Sequence, residues 1–460
     1  MQTGNTGFHG LVMCFCLGSS VLLARGLDMD MERTTATSQK AVRQAPSLCA
    51  GEQEYVHQRK RVVLQSLRRL AVNCTADSVP HIALLASGGG QRAAVGLVGS
   101  LYQMEKEGLL DCLLYLGGVS GSTWSMSSVY SDPEWSINID ATVARLSGPG
   151  VELEAVLAWL GERAKEENFS LTDIWGVFTS AGIMKQMDLR HLSDEASRNT
   201  TNPYPIYSAI EKHCFSSGPI EGQWFEVSPH EAGFTELGLF VETSLLGSKF
   251  KSGELLEETP EMDMVKLQGV LGCALAHEDT MKEFIPPWLN DSMVPTCLRA
   301  QERFHLIDAG LLMNVAYPPF LGEKRDIDLI IAPEYSAGNV FETLTLARDY
   351  AAAVKKPFPE IDEHMLEERE WPKDCYVLEG KGSQPSIIYM PLFNRRNCRD
   401  AEEVKEKMEK FSTFQLPFSQ EKMEFVLETA KDNIRSNRDA LLREVHKAVA
   451  HRHQRKSVLL

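Results

Sequence analysis

Apolar and polar positions change period several times along the chain, and the changes mark out its elements. Over residues 52–70, Val56, Val63, Leu64, Leu67 and Leu70 recur at helical spacing among lysines and arginines, predicting a basic amphipathic helix. The run at 81–86 (HIALLA) shows no alternation. A short apolar block of this kind predicts a strand buried on both faces, and Ser87-Gly88-Gly89-Gly90 ends it. Helical periodicity opens near Arg92 and runs to Gly108, which is placed as a C-cap. Residues 113–116 (LLYL) predict a second strand, broken at Gly117-Gly118, and another helix begins near Gly121.

Strand, glycine turn, helix, repeated, is the rhythm of an α/β layered fold. Residues 136–300 read as mostly helical, with candidate strands at 224–227 and 239–241. Two later apolar runs, 304–307 and 327–332, predict strands ending at Asp308-Ala309-Gly310 and at Pro333. From Ser419, a plausible N-cap, a long amphipathic helix follows, and the chain closes on His451-Arg452-His453-Gln454-Arg455-Lys456. Residues 1–45 read as a leader and polar linker, and 46–460 as one catalytic domain.

With 460 residues, 43% hydrophobic and 24% charged, the composition is that of a globular protein. A net charge of −16 argues against nucleic acid as a partner and against global attraction to anionic membranes. Contact with lipid has to be local and apolar, or carried by a small basic segment. The ten cysteines show neither zinc spacing nor a dense disulfide framework, which fits buried thiols in a reducing compartment. Residues 11–24 have the length of a signal-peptide core and are too short to span a bilayer, and no Lys or Arg precedes them. Asn73, Asn168, Asn199 and Asn290 head formal glycosylation sequons. Cytoplasmic location is the leading expectation, with secretion the alternative.

Gly118-Val119-Ser120-Gly121-Ser122 stands between a strand and a helix, where a strained turn can expose a serine hydroxyl as nucleophile. The plain alternative is a serine that caps the helix. Ser87-Gly88-Gly89-Gly90-Gln91-Arg92 leaves backbone N–H groups at a helix N-terminus, an anion cradle, with a guanidinium just beyond. It lacks the Lys-Ser/Thr ending of a nucleotide-binding P-loop. A serine nucleophile needs a base. None of the twelve histidines sits at a strand end beside a glycine turn, although a Ser–His–Asp triad stays open on count alone. Asp308 does end a strand, as a base or as a helix N-cap.

Together, S-G-G-G-x-R-A, G-x-S-G-S-T-W and D-A-G, in that order, resemble the cytosolic phospholipase A2 family, most nearly its gamma type. The likeness continues through Trp224-Phe225-Glu226, Ser228-Pro229-His230-Glu231, Gly247-Ser248-Lys249-Phe250 and residues 328–358. It implies a patatin-like layered fold, a central mixed sheet flanked by helices, with the serine on a strand-to-helix nucleophile elbow. It further implies Ser120 as nucleophile, Asp308 as base, Gly89 and Gly90 as oxyanion donors, and Arg92 and Arg325 as holders of the substrate phosphate. The expected activity is a calcium-independent phospholipase A2 and lysophospholipase, without cofactor or metal, acting on phospholipid at a membrane surface.

Departures from the family are also expected to matter. The stretch between Ala274 and Phe304 is short for a lid, no C2 domain precedes the catalytic region, and no Cys-a-a-X box ends the chain. Membrane contact would then rest on the basic tail and exposed apolar residues. A broad serine esterase with a triad, and a non-catalytic lipid-binding protein, are the rival readings.

Overall fold

The apolar runs at 81–86 and 113–116 lead into adjacent parallel strands at the centre of the sheet, the second continuing through Gly117-Gly118 rather than breaking there. A computed structural model describes residues 41–166, 169–251, 253–273, 294–299, 304–413 and 415–459. Its strands are β1 (Val42–Gln44), β2 (Ile82–Ala86), β3 (Tyr115–Gly118), β4 (Tyr204–Glu211), β5 (Trp224–Val227), β6 (Glu231–Phe234) and β7 (Leu239–Glu242). They continue as β8 (Lys249–Lys251), β9 (Glu254–Glu257), β10 (Leu306–Asp308), β11 (Leu329–Glu334), β12 (Tyr376–Leu378) and β13 (Ser386–Pro391). The main sheet runs β1-β7-β6-β5-β4-β3-β2-β11-β13-β12, with β10 on β4 and β8-β9 a separate pair.

β4, β3, β2, β11 and β13 are parallel, while β5, β6, β7, β1 and β12 join antiparallel, so the sheet is mixed. β2, β3, β4 and β11 are buried at every residue, which is why they carry no period-2 alternation. Helices cover the sheet: α1 (Ala50–Arg69), α2 (Gln91–Lys106), α3 (Gly121–Tyr130), α4 (Ile139–Leu146), α5 (Leu153–Arg163), α6 (Leu171–Val177), α7 (Lys212–Ser217), α8 (Met264–Gly272) and α9 (Thr296–Arg299). Those at 420–436 and 438–459 close the described chain.

The register places the chemistry. Gly118 of β3 pairs with Ala86 of β2, so the glycine turns that follow these strands emerge side by side. β3 covers Tyr204–Tyr207 of β4, and β10 covers Ala209–Glu211. Because β5 holds Ala209 and Ile210 on the other edge, β10 occupies the edge that β3 leaves as it turns into Ser120. Asp308 is thereby brought beside Ser120.

Several expectations are corrected. Within residues 136–300 the expected strands at 224–227 and 239–241 are β5 and β7, but β4, β6, β8 and β9 also lie there, and the eight fully buried residues of β4 lack any periodic signature. β1 enters the sheet upstream of the expected boundary at 46. Cys214 and Cys297 form a disulfide joining α7 to α9, although Cys49, Cys74, Cys112, Cys273, Cys375 and Cys398 are thiols as expected. The leader at 11–24 and most of the short lid stretch lie outside the described residues. Among the described residues, no helix is long and apolar enough to cross a membrane.

The basic tail is not a solvated arm. Residues 438–459 are helical, and the Arg452 Nε donates to Asp328 Oδ2 at 2.7 Å, while Arg455 Nη2 donates to Asp326 Oδ1 at 2.7 Å. His81 N also donates to Asp328, tying the tail to the start of β2. Arg452 is buried, so Arg452→Met leaves a buried Asp328 short of its main counter-charge. A stability loss of about 3 kcal/mol is expected, read as a lower urea midpoint at unchanged slope.

Candidate active site

Ser120 links β3 to α3 with φ 53° and ψ −124°, a conformation that L-residues rarely adopt. The turn is held from both sides. Val119 N donates to Ser122 Oγ at 2.8 Å, Thr123 Oγ1 donates to the Ser120 carbonyl at 2.6 Å, and Gly121 packs so closely that a Cβ there would lie 2.1 Å from the Gly90 carbonyl oxygen. A strained serine kept in place by its surroundings is a feature of functional turns.

The Ser120 hydroxyl donates to Asp308 Oδ2 at 2.7 Å. Asp308 Oδ1 accepts from Gly310 N at 2.8 Å, so the carboxylate is both a helix cap and the partner of Ser120. One oxygen thus caps the turn after β10, and the other accepts from the serine hydroxyl. Burial pushes the carboxyl up to about 6, against the lowering pull of the hydrogen bonds from Ser120 and Gly310. Among the described residues, no histidine hydrogen-bonds either group. His230 pairs with the Tyr204 hydroxyl, and His81 with the Arg325 carbonyl.

The second glycine turn lies against the first. Gly89 (φ 135°) and Gly90 (φ 61°) both need the freedom of glycine, and a Cβ at Gly89 would lie 2.4 Å from the Tyr335 carbonyl oxygen. Their N–H groups have no acceptor among the described residues and stand at the N-terminus of α2. Arg92 is fully buried: Nε donates to the Tyr335 carbonyl at 2.6 Å and Nη1 to the Phe411 carbonyl. Its Nη2 has no partner and lies 3.2 Å from where a Gly89 Cβ would stand. Burial lowers the guanidinium to about 10, partly offset by Glu334, so it stays cationic at neutral pH.

Arg325 is placed elsewhere. Its guanidinium is fully buried, bonded to both oxygens of Glu52 (2.8 and 3.0 Å), to Glu226 (2.7 Å) and to the Pro319 carbonyl (2.8 Å). It lies beside Tyr115 and His81, which begin β3 and β2, at the end of the sheet opposite Ser120. The expected phosphate contact is replaced by a structural one: the carboxylates that neutralise Arg325 leave it no role at the serine.

Asn314 escaped the sequence reading. Its carbonyl accepts from Gly88 N at 2.7 Å, and its side-chain amide lies 2.4 Å from a Cβ placed on Gly88 and 2.6 Å from one on Gly310. It is therefore wedged between the oxyanion turn and the aspartate turn. The available signal was a polar residue within the apolar run 311–316 (LLMNVA).

Comparison with known proteins identifies the family. The family described as lysophospholipase catalytic domain matches residues 82–143 and 159–336, more than half of the chain. The chain belongs to that family and is an ester hydrolase. Within it, the chain is similar to human cytosolic phospholipase A2 gamma, at 28% identity over 87% of this chain and 95% of the relative. It is also similar to the mouse gamma protein, at 26% identity over 88% and 92%. The solved structure of human GIVD cytosolic phospholipase A2 superposes with a TM-score of 0.76 at 24% identity, over 90% of this chain and 67% of that one, which shows a shared fold.

The raised Asp308 carboxyl has a consequence for stability. Its folded value, about 6, stands above the ordinary 3.8, so the protonated form is favoured by folding. That contribution is complete below pH 3.8 and is lost as pH rises through about 6, leaving an ionised, buried carboxylate at pH 7. Asp308→Asn is expected to be more stable than wild type by up to about 3 kcal/mol at pH 7, with the gap closing toward pH 4. Thermal melts of the two proteins across that range check this.

Proposed function

We propose that the chain is a phospholipase A2 and lysophospholipase that forms an acyl ester on Ser120 with Asp308 as its direct base. The single observation that supports this most is the 2.7 Å bond from Ser120 Oγ to a buried carboxylate that, among the described residues, hydrogen-bonds no histidine. As Ser120 attacks the ester carbonyl, its proton passes to Asp308 Oδ2, and the new oxyanion is received by the N–H groups of Gly89 and Gly90. Collapse expels the lysolipid alkoxide, which takes the proton back from Asp308. Water, deprotonated by the same carboxylate, then releases the fatty acid and restores Ser120.

A free carboxylate of ordinary acidity is a weak base. Burial that lifts Asp308 to about 6 narrows the gap to the operating pH, and the strained serine and oxyanion cradle supply the remainder. Arg92, with its unpartnered Nη2 beside the cradle, is proposed to hold the phosphate of the lipid head group. The pair and cradle need no metal, and calcium independence is part of the proposal. Phospholipid as substrate and action in the cytoplasm follow the relatives, which are cytosolic phospholipases A2, and contact with a membrane surface is part of the proposal. The Cys214–Cys297 disulfide favours a second reading of location, passage through an oxidising compartment. The mass of the mature N-terminus separates the two.

Turnover of phosphatidylcholine should fall by about 10³-fold or more in both Ser120→Ala and Asp308→Ala, and excess chelator should leave wild type unchanged. Retention of most activity in either variant would falsify the dyad. The wild-type kcat/KM should decline with falling pH below about 6, as Asp308 takes up a proton. Arg92→Ala should lose about tenfold more activity on phospholipid than on a neutral ester, measured as the ratio of the two kcat/KM values.

A further inference from the structure

We propose that the paired helices α5 and α6, with the loop residue Leu416, form the surface that docks the enzyme on a zwitterionic lipid layer. This rests on the phospholipase reading and names the face by which that site reaches its substrate.

Large apolar side chains gather there in the open. Leu153 and Leu157 of α5 are 68% and 58% exposed, and Leu171 and Ile174 of α6 are 57% and 48% exposed. Both pairs lie at one-turn spacing, so each helix carries its own outward apolar stripe. The same helices bury a different face: Trp159 and Val177 pack with Val265 of α8 in a small core of their own. The exposed leucines are therefore surplus to folding, and several clustered apolar side chains in water mark a contact surface.

The face lies at the active-site end of the sheet. Trp175, beside Ile174, meets Trp124 edge-on at 6.1 Å, and Trp124 stands one turn along α3 from Ser120. Leu416, 82% exposed, belongs to a loop that covers the oxyanion turn: Gln91 Nε2 donates to its carbonyl at 3.1 Å. Gln420 Nε2 donates to Ser147 Oγ at 2.9 Å, joining that loop to the segment that leads into α5. Ile174 and Leu416 thus sit next to residues that contact the two elements following the glycine turns, α3 and α2.

Charge decides which lipid surface fits. The basic residues of α5 and the turn after it are answered locally, Arg163 by Glu166 and Asp173, and Lys165 by Glu162. Glu152 and Glu154 stand exposed at its start. The cations of the C-terminal tail, Arg452 and Arg455, are taken up by Asp326 and Asp328 at the other end of the sheet. With the tail cations taken up and a chain charge of −16, long-range attraction to anionic lipid is not favoured. Apolar insertion into a neutral phosphatidylcholine surface is.

The test uses the full chain and the double variant Leu157→Glu with Ile174→Glu. Sedimentation with phosphatidylcholine vesicles, and turnover of vesicle lipid, should each fall about tenfold or more. Turnover of a monodisperse short-chain phosphatidylcholine should stay within about twofold, because neither residue touches the site. The neutral variant Leu157→Gln with Ile174→Gln should move both readouts the same way. Wild-type binding should be insensitive to salt and weakened by added phosphatidylglycerol.

Unchanged vesicle binding in the glutamate variant would overturn the proposal, as would steeply salt-dependent binding of the wild type. A wild-type dimer that the variant converts to monomer would also overturn it, assigning the face to a second copy. If wild type hydrolyses neither substrate, the enzymatic reading fails, while vesicle sedimentation still reports on the face.

Discussion

A single buried carboxylate, Asp308, is the point on which the site turns. Its two oxygens are committed separately, one to the hydroxyl of Ser120 at 2.7 Å and one to the N–H of Gly310 at 2.8 Å. The second bond fixes the side chain so that the first can form without loss of rotamer freedom. The same burial that raises the carboxyl to about 6 makes it costly to keep ionised at neutral pH. The fold tolerates that cost because β10 is anchored on the edge of β4 that β3 vacates. Stability is given up at the residue proposed to act as the base.

The surroundings follow from bringing two glycine turns into contact. The adjacent parallel strands β2 and β3 deliver the turns together, and the missing side chains at Gly89 and Gly121 allow them to touch. Arg92 is locked by the Tyr335 and Phe411 carbonyls, with one nitrogen left unpaired beside the cradle. An unpaired buried donor is unfavourable, and the phosphate proposed to bind there would relieve it. Asn314 packs against both the Gly88–Gly90 turn and the Asp308–Gly310 turn and so connects them.

What could be read from the sequence was local. Each motif at the serine, the cradle and the aspartate stands at a strand end marked by glycine, and the structure places them together. Even the cap reading of Asp308 was correct in part. The failures were non-local. β4 was missed because a strand buried on both faces shows no alternation, and Arg325 was misassigned because its partner Glu52 lies far away in the chain. The basic tail, expected to supply membrane contact, is instead held by Asp326 and Asp328, which lie far from it in the chain. Motifs report chemistry that is contiguous in the chain; burial and counter-charge are set by the fold.

The most direct test of the central claim is the titration of Asp308 itself. The difference infrared spectrum between wild type and Asp308→Asn isolates the carboxyl stretch of this residue. The protonated band should vanish with a midpoint near pH 6, and Ser120→Ala should move that midpoint upward by removing the hydrogen bond that favours the ionised form. A midpoint near 3.8, unmoved by Ser120→Ala, would contradict a buried carboxylate acting directly on the serine.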